Sequence, residues 1–184
     1  MIVAGVLFLL QSLGVIQFAD IIWGILLGLA GVFILSFYFA DRKNWWAFIP
    51  GIILLVLAVV IVLATFFPGF GGTMIGALFL GGIGMSFFII YLVRRDFWWE
   101  IIPAGALFTL AAVVVVSALG YELASGGVFF FGLGLTFALL AFVRTPGGRL
   151  TWAWIPALVL IVLGLLALGA ATNLINYLWP VIVN

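Results

Sequence analysis

Catalysis and ion coupling need nucleophiles, acids, bases or metal ligands held close together, and this sequence is sparing with all of them. It has five carboxylates, six Lys or Arg residues, no His and no Cys. Without Cys there is no disulfide, thiolate nucleophile or thiolate-ligated metal, and without His the commonest general base and metal ligand is missing. His-ligated haem is thereby excluded. No cofactor is predicted, and binding of a lipid, quinone or carotenoid is left open. The carboxylates Asp20, Asp41, Asp96, Glu100 and Glu122 all sit at the ends of apolar runs and not inside them. Ion-coupled carriers place ionisable groups near the bilayer midplane, so a small-solute carrier or channel ranks last here, and no catalytic or metal site is expected. Glu100 is the chemical irregularity: it occupies a place in a repeated motif that Ala47 and Ala153 hold in the other copies. The plain expectation is pairing with Arg94 or Arg95; an interfacial proton site is the bolder one. The polar residues within the runs, Gln11, Ser12, Ser36, Thr65, Ser86, Thr109, Ser117 and Thr136, read as structural, because Ser and Thr can bond the backbone carbonyl one turn back.

The elements that position these residues follow from composition. Apolar residues make up 68% of the 184, charged residues 6%, and mean hydropathy is +1.54, far outside the soluble range. A net charge of +1 leaves no basic field for nucleic acid. Six runs are long enough to span a bilayer as helices, roughly 21–40, 46–67, 73–93, 101–119, 126–143 and 152–171, with short runs at 1–16 and 177–184. The fold class expected is an all-α, multi-pass membrane bundle. The first fifteen residues lack the basic flank and cleavage site of a signal peptide and read as part of a span.

The chain repeats. Trp45-Trp46-Ala47-Phe48-Ile49-Pro50, Trp98-Trp99-Glu100-Ile101-Ile102-Pro103 and Thr151-Trp152-Ala153-Trp154-Ile155-Pro156 place their prolines 53 residues apart. Each motif should start a helix, with proline where its missing N–H is harmless. Trp45, Trp46, Trp98, Trp99, Trp152 and Trp154 then form an interfacial belt. Two-helix hairpins of about 53 residues follow, over 1–44, 45–97, 98–150 and 151–184 of a single transmembrane domain. Returning helices correspond through Gly28 and Gly31, Gly81 and Gly84, and Gly132 and Gly134. Gly24-x-x-x-Gly28 and Gly72-x-x-x-Gly76 have the spacing of helix-packing motifs. Arg42, Lys43, Arg94, Arg95, Arg144 and Arg149 occupy every second loop, which by the positive-inside rule makes those loops, and both termini, cytoplasmic. Together with the basic residues, the Trp belt also has the chemistry of a rim that meets lipid headgroups or a partner. The last helix is cut short in register: either both terminal runs are short interfacial helices, or the chain belongs to a longer four-hairpin protein, and the expectation favoured is continuation at the C-terminal end.

Gly5-Val6-Leu7-Phe8-Leu9-Leu10-Gln11-Ser12-Leu13-Gly14-Val15-Ile16, then Ile22-Trp23-Gly24-Ile25-Leu26-Leu27-Gly28-Leu29, resembles the transmembrane repeat of LiaI/LiaF-like bacterial membrane proteins. So does Gly164-Leu165-Leu166-Ala167-Leu168 leading to Asn176-Tyr177-Leu178-Trp179-Pro180. The resemblance implies Leu/Gly-rich hairpins in a bacterial inner membrane and, for some members, a part in sensing envelope stress; it implies no catalytic residues. Two functions are therefore carried forward. The first is a non-catalytic accessory subunit packing against a larger membrane complex, of the electron-transfer or photosynthetic kind, with the bilayer and either a membrane-protein partner or further copies of itself as neighbours. The alternative is an envelope-stress sensor or regulator.

Overall fold

A computed structural model of the chain describes residues 19–67, 72–145 and 148–171. The short terminal runs, with Gln11, Ser12 and much of the family resemblance, lie outside them. Six α-helices account for most of what is described: α1 Ala19–Ala40, α2 Phe48–Phe66, α3 Gly72–Val93, α4 Ile101–Ala118, α5 Glu122–Phe142 and α6 Trp154–Ala171. All six are long and apolar enough to cross a membrane. The protein is an all-α, multi-pass membrane protein, as its composition requires. α5 departs furthest from its expected start, beginning four residues early at Glu122. An acidic side chain in a helix's first turn faces the positive end of the macrodipole, so Glu122 suits the start of the helix instead of ending it.

Each Trp motif forms one turn of 3₁₀ helix, Trp45–Ala47, Trp98–Glu100 and Thr151–Ala153, that feeds straight into α2, α4 or α6. The three turns are closed alike: the amides of Ala47, Glu100 and Ala153 donate to the carbonyls of Asn44, Phe97 and Leu150 at 3.1, 3.1 and 3.0 Å. Pro50, Pro103 and Pro156 fall at the third residue of their α-helices. That is within the first turn, where amides lack intrahelical acceptors.

The chain packs as two compact units, Met1–Ile75 and Gly76–Asn184. In the first unit α1 lies against α2. In the second, α3 meets α4, α4 meets α5, and α5 meets α6. The three hairpins α1/α2, α3/α4 and α5/α6 each enclose a basic loop, half a repeat out of phase with hairpins counted from proline to proline, and α4 and α5 also pack closely across an outer turn.

One seam recurs in all three pairs. A Cβ placed on Gly31 would lie 2.9 Å from the carbonyl oxygen of Gly51, one on Gly84 3.2 Å from that of Ala104, and one on Gly134 3.1 Å from that of Ala157. The acceptors are the residues after Pro50, Pro103 and Pro156, and all are small and buried. Small residues at crossing points let membrane helices approach to backbone contact. A turn away, Gly28 meets Ala58 and Gly81 meets Ala111, whereas the third copy exchanges sizes: Gly164 on α6 receives the backbone of Phe131. Of the two glycines expected to match Gly28 and Gly31 on the third returning helix, Gly134 lies in the seam. Gly132 does not: it faces Thr109 of α4 across the outer turn, while Thr136 faces Gly105. This reciprocal pair of threonines and glycines holds α4 to α5.

The seam contacts are less regular than the prolines, which stay 53 residues apart. Gly31 and Gly84 precede their acceptors by twenty residues, Gly134 by twenty-three. The difference arises mainly in the longer loop after α5, where Arg144–Thr145 and Gly148–Arg149 pair as a two-residue antiparallel ladder. Through the outer turn after α4, Gly134 follows Pro103 three residues sooner than Gly84 follows Pro50, which keeps the prolines in step. That turn is a Schellman stop on α4: Gly120, at φ +87°, donates to Ser117 (3.0 Å), and Tyr121 to Val116 (3.1 Å).

Gly24 and Gly28 point at α2, toward Val62 and Ala58, as packing glycines should. Gly72 and Gly76 do not behave so. Among the described residues, nothing lies within 4 Å of a Cβ placed on either. In a chain with 23 glycines, spacing alone does not mark a contact between described helices.

Candidate functional site

Polar chemistry in the spans is turned inward, onto the helices that carry it. Ser36 donates to Phe33 O (2.6 Å), Thr65 to Ile61 O (2.9 Å), Ser86 to Ile83 O (2.6 Å) and Thr136 to Gly132 O (2.9 Å). Ser117 and Ser125 share a hydrogen bond of 2.7 Å across the outer turn between α4 and α5. Such bonds satisfy a hydroxyl without offering it to a ligand. Among the described residues no three His, Cys, Asp or Glu side chains come close enough to hold a metal ion.

What remains gathers at the basic loops. In the first unit, Asp41 begins the loop after α1 and its Oδ1 accepts from the Lys43 amide at 2.9 Å, an Asx turn that leaves Arg42 and Lys43 exposed. In the second unit, Arg94 and Arg95 follow α3 but do not pair with acids nearby. The Arg94 guanidinium carbon stands 5.3 Å from the Phe97 ring centroid, and that of Arg95 4.8 Å from Tyr91, both cation–π distances. Arg144 and Arg149 are direct cross-strand partners and both are exposed. Like charges directly opposite repel, so this ladder concentrates positive charge where an anionic headgroup would relieve it.

The six Trp residues divide by position. Trp46, Trp99 and Trp152, the second residues of the three turns, are exposed; Trp45 and Trp98, the first, are half-buried. Trp98 packs on a small core of Ile101, Leu140, Ala141 and Ala153, to which Tyr91, Phe137 and Leu150 also contribute. Trp154 lies outside the pattern, on α6, where it meets Phe142 edge-on with centroids 5.2 Å apart.

The third residue of every turn is fully buried. Ala47, Glu100 and Ala153 are each 0% exposed, and both carboxylate oxygens of Glu100 lack a hydrogen-bond partner. The expected ion pair with Arg94 or Arg95 is not formed. A signal for this was present in the sequence: Tyr91 is four residues before Arg95 and Phe97 three after Arg94, spacings at which an aromatic face competes for the guanidinium.

A shallow groove of about 350 Å³ runs beside the α4/α5 contact, lined by Gly105, Phe108, Thr109, Leu135 and Thr136, with Leu168 of α6 at its edge. A smaller one of about 250 Å³ lies where Gly24 and Ala58 leave room between α1 and α2. Both are apolar apart from the two threonines.

Comparison with protein families, with curated proteins and with solved structures finds no match to this chain.

Proposed function

We propose that this protein is a non-catalytic accessory subunit of the bacterial inner membrane, one that packs through its apolar helix faces against a larger membrane assembly and has its basic loops and both termini in the cytoplasm. One observation carries the reading. The span hydroxyls of Ser36, Thr65, Ser86 and Thr136 bond their own helix backbone, while large apolar side chains such as Phe33, Phe39, Ile155 and Leu158 face outward. A surface of this kind recognises only acyl chains or other apolar helices. The exposed Trp46, Trp99 and Trp152, together with Arg144 and Arg149, fit the depth and charge of a headgroup layer and would set the subunit's height and orientation. The apolar grooves suit an acyl chain, a quinone tail or a carotenoid of the assembly.

Purification in mild detergent, followed by mass spectrometry of co-isolated proteins, tests the proposal. Recovery of a defined membrane-protein partner in fixed ratio is the expected result. A homogeneous monomer would defeat it, and assembly with further copies of the same chain would replace the hetero-partner by a homo-oligomer. A deletion strain separates the sensor alternative suggested by the LiaI/LiaF-like resemblance, since only that role predicts an altered response to wall-active agents.

A further inference from the structure

Glu100 sits in a slot that the fold builds three times and fills twice with a methyl group. Ala47, Glu100 and Ala153 close the same 3₁₀ turn through the same backbone hydrogen bond, and all three are wholly shielded from water. Glu100 also immediately precedes Ile101 in the buried cluster of the second unit. Neither carboxylate oxygen has a hydrogen-bond partner. The titratable and charged groups at this end of the unit are Arg94, Arg95 and Asp96 on the preceding loop, Tyr91 on α3, and Arg144 and Arg149 on the ladder after α5. None of them bonds the carboxylate, and the two nearest cations in sequence are stacked on Phe97 and Tyr91.

An ionised carboxylate removed from water without a partner is far costlier than the neutral acid, which loses only hydrogen bonds. A buried acid in this position therefore keeps its proton for as long as it stays buried. We propose that Glu100 is a proton-binding site, seated as the neutral acid, and that loss of the proton frees the Trp98–Glu100 turn from its slot. The freed carboxylate would gain water and the arginines of its loop. The half-buried Trp98 would leave the Ile101 cluster with it, loosening the start of α4 while the Ala47 and Ala153 turns stay in place. This site is independent of the accessory-subunit reading.

Dicyclohexylcarbodiimide, an apolar reagent for protonated carboxyl groups, gives the direct test on the full chain in mild detergent. The acid's O–H adds across one C=N bond: the proton goes to nitrogen and the carboxylate oxygen bonds the central carbon. The acyl group then migrates to nitrogen, and the whole reagent is retained with no change of oxidation state. Peptide mass spectrometry should place one reagent on Glu100, several-fold more at about pH 6 than at about pH 9, with little on Asp41 or Asp96 and none on the Glu100→Gln variant. Thermal unfolding gives the second readout. Because the folded chain holds a proton that the unfolded chain releases, the wild-type folding equilibrium should weaken with rising pH, by up to about tenfold per pH unit. Glu100→Gln and Glu100→Ala, which carry no proton there, should show no such slope. A slope without labelling still supports the site, at a depth the reagent does not reach. Labelling without a slope overturns the release of the turn. Absence of both overturns the proposal, as does stability that rises with pH and is lost in Glu100→Gln, the behaviour of an ionised carboxylate held by a cation.

Discussion

At the scale of single residues, the glycines separate by what surrounds them and not by their spacing. A Cβ on Gly134 would come within 2.7–2.8 Å of Ile161, including its backbone nitrogen, whereas one on Gly76 would meet nothing within 4 Å. Gly134→Ala should therefore destabilise the protein by about 1–3 kcal/mol, the usual range for overpacking. Gly76→Ala should stabilise it by about 0.5–1 kcal/mol, because the backbone entropy cost of a helical glycine is removed. Unfolding of both variants by titration of a denaturing detergent into a mild one compares them, and equal effects would contradict the seam. Gly120 is a third kind. Its φ of +87° belongs to the left-handed region, so Gly120→Ala should cost about 1–2 kcal/mol although the space around it is open. Burial at Glu100 was equally hidden in the sequence. The Ala, Glu, Ala series could be read by eye, but that the slot is dry became evident only from the packed turn.

At the scale of elements, the unit of construction is a pair of antiparallel helices joined by a basic loop, with a glycine on the incoming helix against the residue after proline on the outgoing one. Helix positions, lengths and the Trp turns were legible because hydropathy and proline register report them directly. Partner faces were not legible, since all sides of such helices are apolar and periodicity carries no sign of which side is inside. The third pair shows what packing decides. Phe131 and Gly164 stand where the other pairs have Gly28 with Ala58 and Gly81 with Ala111. Phe131→Gly alone should cost about 2 kcal/mol through lost contacts, and Gly164→Ala about 1–3 kcal/mol through crowding of the Phe131 backbone. The double variant restores the small-on-small pairing of the other copies and should recover at least about 1 kcal/mol relative to the sum. A strictly additive cycle would show that the two positions do not share one contact.

At the scale of the whole molecule, orientation rests on charge. The absence of Cys makes single-cysteine labelling clean. Cysteines replacing Lys43, Arg95 and Arg149 should all react from the cytoplasmic face of sealed vesicles, and one replacing Glu122 only from the opposite face. Reaction of the first three from different sides would overturn the topology. By itself the sequence determined the solvent, the number of described spans, the start of each Trp turn and the alternation of basic loops, because these depend on sums over many residues or on a motif repeated in register. Tertiary structure alone decided that Gly134 packs on α6 while Gly132 packs on α4, that the backbone of Phe131 lies against Gly164, and that Glu100 is sealed without a partner. Each of these turns on which of several chemically similar neighbours comes within a few ångströms, a distance that neither composition nor spacing encodes.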